Sequence, residues 1–532
     1  MAQARLKHFG WGREGEGMTA AEEAAALARY RHLFGIEHFA EKAPPALADI
    51  DLRPPRLAAP ASLKAVCSAE LYDRVAHTYG KSYRDYARGL DGDYASAPDV
   101  VAYPRNEAEI AAVLDWAGGA EAAVFPFGAG SSVVGGIEPH LDGTSRRAAV
   151  TLDLRRLDRV VEIDPVSRAA RIEAGAFGPA LEAQLRPHGL TLRHFPQSFE
   201  YSTLGGWIAT RSGGHFASLY THIDDLVESI RMVTPKGVME TRRLPGSGAG
   251  PSPDRLLIGS EGVLGVITEA WMRLQPRPRF RAGGAVRFTD FFSAARAVRA
   301  IAQAGLYPAN CRILDPQEAH NTGAGDGNAA IMVLAFESGD HPLDAWIARA
   351  LECCADHGGT PERPGDADAH REGAAGQWRT AFIRMPYSRE RMIRRAVIAD
   401  TFETAITWER FEAFHDRVKT ATEAAIREAT GRRGQVTCRF THVYPDGPAP
   451  YFSFHALGRH GALESQWRAI KTAAADALIA AGGTITHHHA VGRDHRPWYD
   501  RQRPDLFAAA LRSAKQALDP QGMLNPGVLI DP

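Results

Sequence analysis

Three consecutive histidines, His487, His488 and His489, stand in the stretch THHHAVGRDHRPW from Thr486 to Trp498, with Arg493, His495 and Arg496 close behind. Imidazole changes charge near neutral pH, so such a run can move protons. It can also bind a transition metal, which needs two or three imidazoles converging with a carboxylate. A polar loop with neither role is the third reading. On a strand His487 and His489 share one face and His488 points away. The spacing does not choose among the three. The rest of the chain has to supply the chemistry that the cluster serves.

The chain has 532 residues, too many for one compact core, so two or more domains are expected. Its 62 basic and 63 acidic side chains nearly cancel. No basic field invites nucleic acid, and no nucleic-acid partner is expected. The five cysteines, Cys67, Cys311, Cys353, Cys354 and Cys438, form no CxxC pair. Their odd count fits a reducing, cytoplasmic compartment and no cysteine-based zinc site. The N-terminus lacks a signal-peptide core, and no run of about 18 apolar residues appears. A spanning helix is not expected, and a peripheral membrane contact stays open.

Residues 1–95 read as an N-terminal arm, with a helix after Thr19 whose Glu22 is placed for a capping box and a proline-rich stretch behind it. From Pro98 the pattern alternates. Asn106 caps a helix in which Ile110, Val113, Leu114 and Ala117 recur at helical spacing, with Glu109 placed to complete a capping box. The strand AAVFPFG follows, and β-like runs cover 150–154, 159–163 and 169–175. Residues 279–465 mix strands such as AAIMVLAFE with helices such as LDAWIARALECCADHGG and read as a second domain. The expected class is α+β, with a first domain over 96–278 and a C-terminal segment, 466–532, packing back near it.

Three glycine-rich segments lie at regular intervals in the first domain. The loop PFGAGSSVVGG begins with Pro126, Phe127, Gly128, Ala129, Gly130, Ser131 and Ser132. Successive exposed N–H groups there can cradle a pyrophosphate. It is neither a Walker loop nor a GxGxxG fingerprint. The second segment holds Gln197, Ser198, Phe199, Glu200, Tyr201, Ser202 and Thr203, then Thr210, Arg211, Ser212 and Gly213. The third holds Glu261, Gly262, Val263, Leu264, Gly265, Val266 and Ile267. One such loop is an ordinary turn, whereas three in this order are specific. Together they resemble the flavin-binding domain of the vanillyl-alcohol oxidase family. That resemblance implies FAD laid across two small α/β subdomains, on the residues just named. Many relatives tether the flavin through a histidine in the first loop. PFGAGSS has none, so the FAD is expected to be non-covalent, although His215 is a remaining candidate for a tether.

The second half narrows the branch. FIRMPYSRE, DTFETAITW (400–408), TCRFTHVYPDGPAPYFSF (437–454) and GGTITHHHAVG resemble the alkyldihydroxyacetonephosphate synthases of ether-lipid synthesis. The resemblance implies exchange of the acyl chain of acyl-dihydroxyacetone phosphate for a fatty alcohol. It also implies a catalytic Tyr451, a catalytic run His487–His488–His489, a phosphate-binding Arg384 and a functional Arg312. No metal is expected, and the chain is expected to form a homodimer. Three features depart from that branch, one of them the region 320–330, NTGAGDGNAA, which is shorter than in the animal synthases. Ala490 stands where the synthases carry glycine, and LDPQGMLNPGVL resembles the ending of 2-hydroxy-acid oxidases and dehydrogenases. The alternative is therefore an FAD-dependent dehydrogenase or oxidase of a small 2-hydroxy acid, with Arg384 on a carboxylate.

Overall fold

The computed structural model describes residues 4–216, 221–362 and 373–531. The architecture is α+β and is carried by three main sheets. The first runs in the order Cys67–Ser68, Val100–Ala102, Ala148–Asp153, Ala122–Phe127. Its last three strands are parallel, and the helix Glu107–Gly119 links two of them. Asn106 caps that helix through the Glu109 amide. The second half of the expected capping box does not form, because the Glu109 carboxylate turns back to the Arg105 amide and guanidinium. The second sheet is antiparallel, in the order Val160–Asp164, Ala169–Glu173, Val266–Arg273, Val227–Thr234, Gly237–Glu240.

These two sheets share one apolar core, built from Val124, Val150, Ile172, Ile230 and Met232. Met523, Leu524, Val528 and Ile530 join the same core. The C-terminal segment thus returns to the first sheet, where the amide of Val124 donates to the Met523 carbonyl and that of Asn525 to the Val124 carbonyl.

The third sheet has seven antiparallel strands, in the order Thr360–Pro361, Phe280–Phe288, Ala330–Ser338, Asn310–Leu314, Gln435–Val443, Pro448–Leu457, Val397–Glu403. Side chains alternate across a strand, and here the alternation separates core from chemistry. Phe402, Phe452 and Cys438 stand opposite one another on neighbouring strands. They face a core with Phe411, Phe414 and Val418 of the helix Phe411–Thr430 and Trp467 and Ile470 of the helix Leu463–Ala480. Burying each such ring contributes about 1.5–3 kcal/mol. One step along, Glu403, Tyr451 and Arg439 are aligned across the same three strands and point the other way.

The arm spans both halves. Thr19 and Glu22 form the capping box of the helix Ala20–Phe34. Lys7 pairs with Glu390 at 2.8 Å, and Tyr83, Tyr86 and Leu90 enter the core of the third sheet.

Candidate active site

The histidine run occupies a loop rather than a strand, which corrects the alternating arrangement considered above. Its shape is set by one carboxylate. Glu403, 1% exposed, receives the amides of His487 at 2.6 Å, His488 at 3.2 Å and His489 at 3.0 Å, and the Thr486 hydroxyl at 2.6 Å. Three successive amides aimed at one point force the three rings to fan outward. Burial alone pushes the Glu403 carboxyl up. The neighbouring His488 ring, through charge and hydrogen bonding, outweighs it and holds the group well below the usual carboxylate range. The donating amides favour the same ionised form.

Around the fan stand residues from the polar side of the third sheet. Tyr451 is 5% exposed and donates to Thr401 Oγ1 at 3.0 Å. Its ring lies 6.0 Å from that of His488 and 5.5 Å from that of His489, and the Arg439 guanidinium sits 3.9 Å above it. Burial raises the Tyr451 hydroxyl above its ordinary value against the opposing pull of Arg439 and Thr401, so the group is a proton donor at neutral pH. Burial pushes His487 well down and His489 down to about 3. Both are therefore neutral at pH 7, and burial opposes their protonation.

His442 reaches this side through a β-bulge. The register slips between Phe440 and His442, which reverses the alternation after Phe440 has entered the core. The His442 ring centre is 4.6 Å from that of His487 and 4.9 Å from that of His488. His222 adds a ring 4.6 Å from His487.

The two arginines of the sequence analysis separate. Arg312 lies 2% exposed on the strand Asn310–Leu314. Its Nη2 donates to the His215 carbonyl at 3.2 Å, while its buried Nε and Nη1 have no partner among the described residues. Burial, reinforced by Arg439, brings it down to about 9. A buried guanidinium with two idle donors has the chemistry to bind an oxyanion. Arg384 lies elsewhere. It pairs with Glu22 at 2.8 Å and donates to the Gly17 carbonyl at 2.6 Å, so it holds the arm to the body. Five residues on in the same segment, Arg389 binds Asp400 at 2.9 Å and the Lys81 carbonyl at 2.7 Å, and it is among the charges that act on Tyr451. Arg389, Arg439, Glu403, His442 and His222 were all passed over in the sequence, because nothing in their spacing separates them from surface or core residues.

The three glycine-rich segments converge. A Cβ on Gly128 would meet Thr203 Oγ1 at 2.3 Å, and one on Gly262 would meet Pro126 Cγ at 3.0 Å. The amides of Gly128, Ala129, Gly130, Ser131 and Ser132 donate to no acceptor among the described residues. A cavity beside them is lined by Phe127, Ala129, Gly130, Tyr201, Lys81 and Arg155. Idle amides with the Lys81 ammonium beside them are the kind of donors that a flavin pyrophosphate takes, while Arg155 is paired with Asp153. Glu261 closes the far end by accepting the Val491 and Gly492 amides at 2.8 and 2.7 Å. Gly213 brings the second segment against the histidines, since a Cβ there would lie 3.3 Å from His488 Cβ.

Other residues expected to touch the cofactor have side-chain partners within the protein. Val263, Leu264, Val266 and Ile267 enter the core, and Gly265 lies close against Met232. Thr210 bonds back to the Gly206 carbonyl, and Arg211 turns outward to Asp224. Ser198 and Ser202 bond to each other, and Phe199 packs on Trp207. Gln197 donates to the Phe382 carbonyl. Glu200 accepts from Tyr387, and Tyr201 donates to Glu16. Among the sites considered for a flavin tether, His215 is engaged by the Asn310 amide at 2.7 Å.

Comparison with known proteins fits this geometry. A family model described as FAD binding domain matches residues 98–242, and one described as FAD linked oxidases, C-terminal domain, matches residues 277–529. Fold and site thus define a flavoprotein of the FAD-linked oxidase class, with FAD as its cofactor. The chain is 30% identical over 485 residues to the alkyldihydroxyacetonephosphate synthase of Dictyostelium discoideum, covering 86% of this chain and 77% of that protein. It is also 30% identical over 498 residues to the Caenorhabditis elegans alkyldihydroxyacetonephosphate synthase, covering 87% and 81%. A solved structure of an alkyldihydroxyacetonephosphate synthase superposes with a TM-score of 0.80 at 25% identity over 98% of both chains. The chain belongs to the alkyldihydroxyacetonephosphate synthase family.

Proposed function

We propose that this chain exchanges the acyl group of acyl-dihydroxyacetone phosphate for a fatty alcohol. The observation that carries the reading is the buried, half-satisfied Arg312 guanidinium on the polar face of the sheet that also presents Tyr451 to the histidine run. A phosphate on Arg312 sets the rest of the substrate toward the proton-handling groups. In this reading residues 96–278 hold the cofactor, 279–465 cap the substrate and 466–532 complete the site.

FAD, when bound, supplies the electron-rich ring that the substrate carbon needs while its substituent is exchanged. The chain supplies position and protons. Arg312 anchors the phosphate, and Tyr451 donates a hydrogen bond to the oxygen that bears developing charge. A neutral imidazole of the run takes the proton of the incoming alcohol while the fatty acid leaves as its carboxylate. Glu403 fixes the rings and stabilises the imidazolium. The Asn-Pro-Gly turn that suggested a dehydrogenase has a structural use, because the Asn525 side chain donates to the Gly136 and Glu261 carbonyls at 2.9 and 2.6 Å. Among the described residues no helix is long and apolar enough to cross a membrane.

The test is incorporation of labelled fatty alcohol into the lipid product with no electron acceptor present and no lasting loss of flavin colour. Anaerobic bleaching by a 2-hydroxy acid, with no alcohol incorporated, would overturn the reading.

A further inference from the structure

Among the described residues, one nitrogen each of His442, His487 and His488 lies within 4.8 Å of the other two. They come from separate elements, the bulged strand and the loop clasped by Glu403. His442 is 2% exposed; its Nδ1 contacts Thr441 Oγ1 at 2.8 Å, and its Nε2 is buried without a partner among the described residues. The absence of a side chain at Gly213 leaves that nitrogen bare, since a Cβ there would sit 2.4 Å from it. His487 and His488 face each other through their Nδ1 atoms at 3.0 Å. The other ring nitrogen of His487 is 2.5 Å from the Tyr444 hydroxyl.

Two imidazoles turned nitrogen to nitrogen need a shared proton or a shared cation between them. Among the described residues a third imidazole, His442, brings one of its ring nitrogens within 4.8 Å of theirs. One nitrogen of His442 and one of His487 rest on hydroxyls, the kind of support by which ligating histidines are oriented. The Glu403 carboxylate lies 3.4 Å from His488 and adds the negative charge a cation prefers.

We propose that His442, His487 and His488 form a three-histidine site for a divalent transition-metal ion, zinc foremost. An all-imidazole set suits Zn2+, Cu2+ or Ni2+ and discriminates against the oxygen-seeking Mg2+ and Ca2+. Zinc–nitrogen bonds of about 2.0–2.1 Å require the rings to draw together modestly, and three protein ligands leave a fourth position for water. The ion occupies the lone pairs that, in the functional reading above, accept the proton of the alcohol. It is therefore an inhibitor of the exchange and not a cofactor. Only that consequence rests on the proposed function; binding does not.

The experiment uses the flavin-loaded protein stripped of metal by a chelator. Zn2+ is titrated in competition with a chromophoric chelator, and Cu2+ is added separately for electron paramagnetic resonance. We expect one tight equivalent per chain and a copper spectrum split by several nitrogens. His442→Ala and His488→Ala should each weaken binding by more than the roughly 10–100-fold that losing a supporting residue costs. His341→Ala, at an exposed histidine outside the cluster, should bind as the parent does. An oxygen-dominated copper spectrum, or zinc affinity that survives His442→Ala in a variant that keeps its flavin, would overturn the site. The copper spectrum of the unaltered protein decides the matter even where a variant fails to fold. Tight zinc binding with undiminished alcohol incorporation would overturn the inhibitory role while leaving the site intact.

Discussion

Glu403 Oε2 accepts the amide of His487 at 2.6 Å across 84 residues of sequence. This bond and its two neighbours turn a string of identical residues into a shaped cluster. Glu403→Gln keeps the size of the side chain but removes the charge and one of the two acceptor oxygens. Turnover should fall by about 100-fold or more, the scale of a general acid–base contribution, with flavin content unchanged. Glu403→Asp should lie between the two. Full activity in Glu403→Gln would show that the clasp does not position the rings.

Tyr451→Phe removes one hydroxyl and leaves the ring under Arg439. The flavin and the melting temperature should be retained, while kcat drops by roughly 100-fold. An unchanged kcat would make Tyr451 a packing residue.

Arg312 and Arg384 should behave oppositely. Arg312→Lys keeps the charge but loses the planar grip. The apparent affinity for the phosphorylated substrate should weaken by about 10–100-fold, given about 1.5–3 kcal/mol for hydrogen bonds to a charged group. Arg384→Ala should leave KM unaltered and cost no more than about 1 kcal/mol of stability, the usual range of a partly exposed ion pair. A KM effect confined to Arg384 would reverse the assignment.

Acid precipitation should release yellow flavin into the supernatant, because PFGAGSS offers no histidine and His215 is held by Asn310. Colour that stays with the pellet would contradict non-covalent binding.

Burial lifts the Glu261 carboxyl to about 7 from 4.5, against the Val491 and Gly492 amides. A carboxyl raised in the folded state contributes stability that is complete below 4.5 and is lost as pH rises to about 7. The melting temperature of the parent should therefore fall, relative to Glu261→Gln, as pH is raised across that window. Parallel curves for the two proteins would show that Glu261 does not titrate there.

Much of this was legible in the sequence for a physical reason. The convergence of three glycine-rich loops is written in residues that only close backbone approach requires, and the histidine run announces itself by composition. Tyr451 was legible through resemblance alone, since a strand tyrosine reads as core by propensity. What stayed hidden depends on three-dimensional register. His442 faces the site only because a bulge follows Phe440, and no local pattern marks that slip. Glu403 looks like any acidic residue until its distant amides are known. The segment FIRMPYSRE offers two arginines, and only the fold shows that Arg384 is drawn away to the arm while Arg389 stays close to Tyr451.

The Asn525 bond to the Gly136 carbonyl, which closes the first glycine-rich loop, joins residues 389 positions apart. During synthesis the phosphate loop and both small sheets emerge from the ribosome long before their last strap exists. Contacts of such sequence separation form late and slowly. Until Asn525 has been made, 389 residues after Gly136, the first glycine-rich loop therefore lacks this tie across its end.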